Sequence, residues 1–329
     1  MQKPLLLIIF LCLLSLASFV LALSSGSINI SLENIILAFN QAPNTLHNIN
    51  HTIIFELRLP RAGVAFISGA MLALAGTLMQ VLLRNPLADP YILGVSGGAS
   101  VAALIAMSLG LSSVLISSSA FMGALISILL VFILAHGKGS WNPHRLLLTG
   151  VVLAAGWGAA INFILTAAAD APLRGMLFWL MGDINHSSMD IKNLYILILS
   201  LMISFSLARP LNILARGELQ ASALGIEVKP LRIGLFLLAS ILTAFAVIQV
   251  GSIGFIGLIV PHMLRLMAGS DHRFLIPAST LLGGSLLLIS DTLARTLLAP
   301  QQLPAGVITA AIGVPFFLYL LNTGFKREQ

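Results

Sequence analysis

Long apolar runs recur along the whole chain, and they limit its possible folds more than any other feature. A helix needs about 20 apolar residues to cross a bilayer. Ten runs approach or reach this length, at 4–23, 62–82, 91–110, 113–135, 146–168, 191–208, 232–250, 254–268, 275–294 and 305–324. Only 9% of residues are charged, whereas soluble domains have about a quarter. The sequence therefore predicts an all-α polytopic membrane protein, with about ten transmembrane helices in one domain over residues 1–329.

The N-terminal run allows two interpretations. Lys3 and the apolar residues 5–23 resemble a signal peptide, and residues 20–22 (VLA) fit a cleavage site. The run of 19 apolar residues is nevertheless longer than the usual signal-peptide core and long enough to span. We interpret it as the first transmembrane helix. The single cysteine, Cys12, lies inside this run and excludes an internal disulfide.

The distribution of lysine and arginine predicts the orientation of the chain. Ten spans place both termini on one side of the membrane. With the N-terminus inside, the cytoplasmic segments carry 12 of these cations and the outer segments carry 5. Because cytoplasmic loops accumulate Lys and Arg, we expect both termini in the cytoplasm. The net charge of +6 reflects this bias and requires no nucleic-acid partner.

Residues 84–100, RNPLADPYILGVSGGAS, interrupt the apolar pattern. Their prolines lack the N–H that a continuous helix needs, and their glycines permit close backbone contact. A second Gly/Pro-broken stretch lies at 251–273. Paired interrupted stretches are typical of inverted repeats and of a transport route. A simple turn between spans explains the first stretch as well, so both interpretations stay open.

Two connections are long enough to have structure of their own. Residues 24–60 are expected outside, with a short surface helix that starts at Ser31. Residues 209–231 form the longest predicted cytoplasmic loop. This loop is too apolar for a disordered linker and too short for a domain. We expect one or two small helices there, lying against another part of the protein.

The sequence lacks the patterns of ATP-hydrolysing and metal-binding proteins. Its Gly-Lys pair is followed by Gly instead of the Ser or Thr of a P-loop, and it has no HExxH or CxxC. We expect Asp291 to pair with Arg295, one helical turn later, and Asp89 to be paired or at a helix N-terminus. His262 and Arg265 are interpreted as a helix end at the membrane face.

Six motifs, in order along the chain, resemble one family of transport proteins. They are RLPR (58–61), GAMLALAGTLMQVLLRNPLADPYILGVSGGA (69–99), RLLLTGV (145–151), RGELQASALGI (216–226), GSIGFIGLIVPHMLRLMAGSDHR (251–273) and DTLARTLLAPQQLPAGVITAAIGVPFFLYLL (291–321). Together they resemble the FecCD family, the permease subunits of binding-protein-dependent ABC importers for iron-siderophores, haem and cobalamin. The resemblance covers nearly the whole chain.

The resemblance implies the ABC importer type II permease fold, paired as a dimer with the translocation path between subunits. A homodimer is the default expectation. Two ABC ATPase subunits inside would use ATP and Mg, and a periplasmic substrate-binding protein would deliver the ligand. The chain itself would bind no cofactor, catalyse no reaction and lie in the bacterial inner membrane. A metal chelate, either a ferric siderophore or cobalamin, would enter by alternating access, with haem as the alternative.

Three groups of site residues are carried over from the family. The cytoplasmic gate is expected at Asn85, Leu87, Pro143 and His144. Docking of the binding protein is expected at the outer arginines Arg58, Arg61 and Arg295. Contact with the ATPase is expected in the coupling-helix loop over 209–231, at Arg216, Glu218, Ala221, Leu224 and Gly225.

Some of these expectations have alternatives. Relatives often carry small hydroxyl residues where this chain has Pro143 and His144, which puts that half of the gate in doubt. The outer arginines also fit membrane-interface snorkelling. A proton-driven secondary transporter is a rival class, for which Asp89 is the one loosely placed candidate acid. A membrane-embedded enzyme is a second rival, and the sequence offers it no catalytic constellation.

Overall fold

The computed structural model describes residues 2–26, 28–40, 49–136, 143–184 and 190–325, and the predicted cytoplasmic cations Lys138, Lys326 and Arg327 lie outside these ranges. Within them, all regular structure is helical. The α-helices are α1 (Gln2–Ser24), α2 (Leu32–Asn40), α3 (Ile49–Thr52), α4 (Leu59–Leu82), α5 (Val95–Ser108), α6 (Ser113–His136), α7 (Pro143–Ala167), α8 (Asp170–Leu180), α9 (Ile191–Ser206), α10 (Ala208–Arg216), α11 (Glu218–Ala223), α12 (Val228–Val250), α13 (Ile256–Ala268), α14 (His272–Thr296) and α15 (Ala305–Phe325).

Each predicted span overlaps one of these helices over most of its length. Six helical segments have the length and composition of a complete span, and α9 with α10 forms a seventh candidate that is bent by 58°. Three shorter apolar helices, α5, α13 and most of α15, occupy the remaining predicted positions. The structure thus confirms the all-α polytopic architecture with about ten apolar helices.

Helix α4 is the centre of the bundle. It is the most buried of the six complete spans, with 94% of its most apolar stretch inside the protein. Glycines let its neighbours approach closely. A Cβ on Gly69 would lie 2.3 Å from the Gly283 carbonyl oxygen of α14, and a Cβ on Gly76 would lie 1.9 Å from the Gly257 carbonyl oxygen of α13. The helices on both sides of α4 therefore pack on it backbone to backbone.

The two Gly/Pro-broken stretches meet in the structure. After α4, a 3-10 turn over Pro90–Leu93 leads into α5, and the connection after α12 enters α13 through Phe255, which has a φ of 73°. The Ile253 N–H donates a hydrogen bond to the Tyr91 hydroxyl at 3.0 Å. The hydroxyls of Ser96 and Ser252 lie 2.8 Å apart. The two interrupted stretches thus contact each other directly, although this contact does not test the internal repeat.

Local capping signals predicted several helix ends correctly. Helix α2 begins directly after Ser31, whose hydroxyl accepts from the Asn34 N–H at 3.3 Å. The Asp89 carboxylate caps the 3-10 turn by accepting from the Tyr91 N–H at 2.8 Å. Gly225 follows α11 with a φ of 80°, the left-handed conformation that favours glycine. The predicted pair of small helices in the 209–231 loop is confirmed as α10 and α11.

Several helices extend beyond the apolar runs that predicted them. Helix α12 begins at Val228 and α14 at His272, each before the first residue of its predicted span. The reason is that an apolar run stops at its first polar or charged residue, whereas the helix continues through it. In α12 the added residues are 228–231, which include Lys229 and Pro230.

Candidate functional site

The loop after α4 holds the first two predicted gate residues. The Asn85 side chain accepts from the Leu87 N–H at 2.9 Å, and the Asn85 N–H donates to the Gln80 carbonyl oxygen at 3.1 Å. Asn85 therefore shapes the loop from within, while Leu87 remains 39% exposed. Arg84 adopts a φ of 50°, unusual for a residue with a side chain. Leu87 is therefore partly exposed at the surface of a turn that is held by hydrogen bonds of Asn85.

The other two predicted gate residues begin α7. Pro143 is its first residue, and His144, the next, is exposed. Further along, α7 reaches the stretch after the gate loop: a Cβ on Gly150 would lie 2.1 Å from the Ile92 carbonyl oxygen. This contact brings α7 against the 3-10 turn rather than against Asn85 or Leu87. The gate role of these four residues remains a prediction.

A polar contact ties the C-terminal end of α4 to α13. The Gln80 amide donates to the Leu258 carbonyl oxygen at 3.2 Å, and Arg265 donates to the Gln80 side-chain oxygen. Arg265 is therefore more than the helix-end cation that the sequence suggested. Because Gln80 also accepts the Asn85 N–H through its carbonyl, this cluster lies directly above the gate loop.

The outer arginines have partners within the chain. Asp291 is 1% exposed and pairs with Arg295 at 3.2 Å, which confirms the predicted ion pair. It also pairs with Arg61 of α4 at 2.7 Å, a contact between residues far apart in the sequence. Arg61 is the more exposed of the two arginine side chains, at 17% against 11%.

Arg58 is more deeply placed than its prediction assumed. It ends the π-helix Ile53–Arg58, is only 6% exposed, and donates to the main-chain carbonyls of Leu23 and Ile28. Its guanidinium thus joins the end of α1 to the start of α4. This arrangement was not predictable from the sequence, because main-chain carbonyls are available at every residue.

The coupling-helix loop presents one apolar surface outward and one inward. Ala221 is fully buried within the chain, while Leu219 and Leu224 are 88% and 67% exposed. Arg216 ends α10, and Gly217 links it to α11 with a φ of 136°. Leu219 was not among the predicted coupling residues. Its position next to Glu218, in a loop expected to form short helices, could have suggested it. Leu219 on α11 and Leu224 directly after it are therefore two exposed apolar side chains in the same short stretch of the loop.

Glu218 has a partner inside the chain. Its carboxylate pairs at 2.9 Å with the buried Arg232 of α12. The predicted coupling residue therefore contributes to the attachment of α11, in addition to any contact it makes with another protein.

A cavity of about 510 Å³ lies elsewhere, between the ends of α5, α6, α8, α9 and α12. Aromatic side chains and two carboxylates line it, among them Phe121, Trp179, Phe245, Asp183 and Asp190. The residues that line it include none of the predicted gate, docking or coupling residues. The cavity is therefore separate from the predicted site.

Comparison with known proteins gives consistent matches. Residues 12–323 match the model of the FecCD transport family. The hemin transport system permease protein HmuU of Yersinia pestis is 39% identical over 284 residues, covering 84% of each chain. The cobalamin import system permease protein BtuC of Halobacterium salinarum is 41% identical over 273 residues, covering 82% of this chain and 73% of that protein.

A solved structure also resembles the chain over nearly its whole length. It is described as an inward-facing conformation of a metal-chelate type ABC transporter. The match has a TM-score of 0.84 and 31% sequence identity, and it covers 96% of this chain and 98% of that one.

Proposed function

The chain belongs to the FecCD transport family, and from this premise we propose that it is the permease subunit of an ABC importer that carries a metal chelate from the periplasm to the cytoplasm. The observation that carries the proposal is agreement over almost the entire chain, in sequence across residues 12–323 and in structure with a TM-score of 0.84. Similar fold alone does not define function, but the six sequence motifs that resemble this family also occur in order along the chain.

A second permease subunit, by default a second copy, covers α7. This helix has the composition of a complete span, yet only 6% of its most apolar stretch is buried in the single chain. A Cβ on Gly156 or Gly158 would have no neighbour within 4 Å. Small residues at an open helix face suit close helix–helix contact in a membrane. The translocation path then runs between the two subunits, beside α7 and the Leu87 loop.

Two ABC ATPase subunits supply the energy, using ATP and Mg, since the sequence contains no P-loop. They bind the cytoplasmic surface formed by α10 and α11, where Leu219 and Leu224 are exposed. ATP-driven closure of the ATPases moves these helices. The gate at Asn85 and Leu87, with Pro143 and His144, then switches between outward-open and inward-open states.

A periplasmic binding protein docks on the opposite side, at the rim that contains Arg58, Arg61 and Arg295. Arg61 is the contact residue, because its side chain is the most exposed of the three, while Asp291 and the other two arginines hold the rim in place. Charged rim contacts mainly guide association and fix register. With the binding protein outside and the ATPases inside, the proposed importer lies in the inner membrane of a bacterium, and both of its termini are in the cytoplasm.

The cargo is a ferric siderophore, cobalamin or haem. The relatives named above transport hemin and cobalamin according to their names, and the similar solved structure is of the metal-chelate type. Uptake of each labelled chelate in cells with and without this gene tests the proposal. Loss of one uptake identifies the cargo, whereas unchanged uptake of all three contradicts a metal-chelate importer.

A further inference from the structure

The two short helices of the cytoplasmic loop are each fastened to a different span. Helix α10 is bound to the start of α14 through Asn212, and α11 is bound to α12 through Glu218. Neither attachment uses the exposed leucines of the loop, so both can persist while another protein covers that surface.

Asn212 makes a two-sided contact with α14. Its side-chain oxygen accepts from the His272 N–H at 2.8 Å, and its side-chain nitrogen donates to Asp271 Oδ1 at 2.7 Å. Asp271 is itself the N-cap of α14 and accepts from the Arg273 N–H at 3.0 Å. The pKa of Asp271 is lowered from its ordinary value, and the hydrogen bond from Asn212 is the largest cause. One amide side chain thus satisfies the first N–H of α14 and holds its capping carboxylate.

Glu218 and Arg232 form the second attachment. The carboxylate of Glu218 is half exposed, whereas the Arg232 guanidinium is 3% exposed and lies 2.9 Å away. Arg232 Nε has no hydrogen-bond partner among the described residues, so Glu218 is the charged group that compensates this buried cation. A buried charge that loses its partner is strongly unfavourable, so movement of α11 away from α12 would leave Arg232 as an unpaired buried cation.

Both attached spans pack along α4. Helix α14 meets it at Gly69 and Gly283, and α12 packs along it as well. Helix α4 runs directly into the predicted gate loop. There, the Arg84 guanidinium lies 4.0 Å from the position of a Cβ on Gly217, the residue between α10 and α11. The loop is therefore connected to the gate through two spans and also approaches it directly.

We propose that Asn212 and Arg232 are positioning residues that fix α10 to α14 and α11 to α12, so that a displacement of these helices moves the two spans flanking α4. This inference rests on the proposed importer function. It assigns to Glu218 the role of holding α11 through Arg232. It also separates the loop into an outer surface that contacts the ATPase and an inner set of polar bonds that passes the movement on.

The test compares Asn212→Ala and Arg232→Gln with the wild-type complex of permease and ATPase, reconstituted in liposomes with the binding protein. Glu33→Gln, at an exposed position on α2 and outside the loop, is the control. We expect assembly and basal ATP hydrolysis to persist in both variants. The amount of chelate transported per ATP hydrolysed should fall about 5-fold or more, the lower end of usual coupling effects. The control should match the wild type.

An unchanged ratio of transport to hydrolysis in both variants overturns the inference while leaving the importer function intact. A wild-type complex without ATP-dependent uptake overturns the importer function, and the inference with it. A proportional loss of assembly, hydrolysis and uptake indicates a merely structural role and also counts against the inference.

A second measurement needs no transport and serves if a variant complex fails to assemble. A spin label is placed at position 219 by Leu219→Cys in a Cys12→Ser background, since Cys12 is the only cysteine of the chain. The label should become more mobile in the purified permease when Asn212→Ala or Arg232→Gln is added. Identical spectra in the parent and both variants overturn the proposed attachments.

Discussion

Replacement of Gly76 by alanine should loosen the contact between α4 and α13. The added Cβ would lie 1.9 Å from the Gly257 carbonyl oxygen, whereas real Cβ contacts are not found below 3.0 Å. One helix must therefore move by at least about 1.1 Å, and both nearest atoms belong to rigid backbone. Overpacking of this kind costs about 1–3 kcal/mol, against which alanine gains about 1 kcal/mol of helix propensity over glycine.

The matched control is Gly234→Ala in α12. Position 234 is also within a helix, but a Cβ there would have no neighbour within 4 Å. Thermal unfolding of the purified proteins in one detergent then separates packing from propensity. We expect the melting temperature to fall for Gly76→Ala and to stay the same or rise for Gly234→Ala.

The same displacement should also affect function. The hydrogen bond from Gln80 to the Leu258 carbonyl lies one turn further along the same contact, at 3.2 Å, so a shift of about 1 Å in α13 would break it. Uptake should therefore fall by more than the loss of folded protein explains. A Gly76→Ala protein as stable as Gly234→Ala would refute the backbone-to-backbone packing of α4 on α13.

Three further substitutions test the outer rim and the coupling loop. Asp291→Asn removes the carboxylate shared by Arg61 and Arg295, and should destabilise the protein by about 2–3 kcal/mol, somewhat less than a fully buried pair because Arg61 is partly exposed; unchanged thermal unfolding would contradict this. Arg58→Gln leaves two main-chain carbonyls without their donor and should lower stability by about 1–3 kcal/mol, so a drop in uptake at normal stability would instead favour a docking role for Arg58. Gly225→Trp has open space but an unfavourable φ of 80°; it should give a folded dimer whose ATPase no longer responds to the binding protein, and normal stimulation would count against the coupling role.

The sequence predicted the parts of the structure that depend on local chemistry. Bilayer thickness sets the length of a span, so each of the ten predicted apolar runs coincided with one of the fifteen α-helices in the described part of the chain. Capping by Ser31 and Asp89 and termination at Gly225 each depend on residues one to three positions away. The Asp291–Arg295 pair was predictable for the same reason, because residues four apart share a helix face.

The contacts that build the candidate site are long-range, and the sequence did not reveal them. Arg61 reaches Asp291, and Asn212 reaches Asp271, only because particular helices pack side by side. An apolar run shows that a helix spans but not which neighbour it meets. Arg58 was interpreted as a docking cation, since the sequence does not show the main-chain carbonyls that bind its side chain. The carboxylate that pairs with the buried Arg232 was not apparent from the sequence either.

Transport into proteoliposomes tests the central claim most directly. The permease is reconstituted with its ATPase, labelled chelate and binding protein are added outside, and ATP is enclosed within. The account predicts uptake that requires ATP and the binding protein, is abolished by vanadate and is insensitive to an uncoupler. Uptake driven by a proton gradient without ATP would contradict it and would favour a secondary transporter.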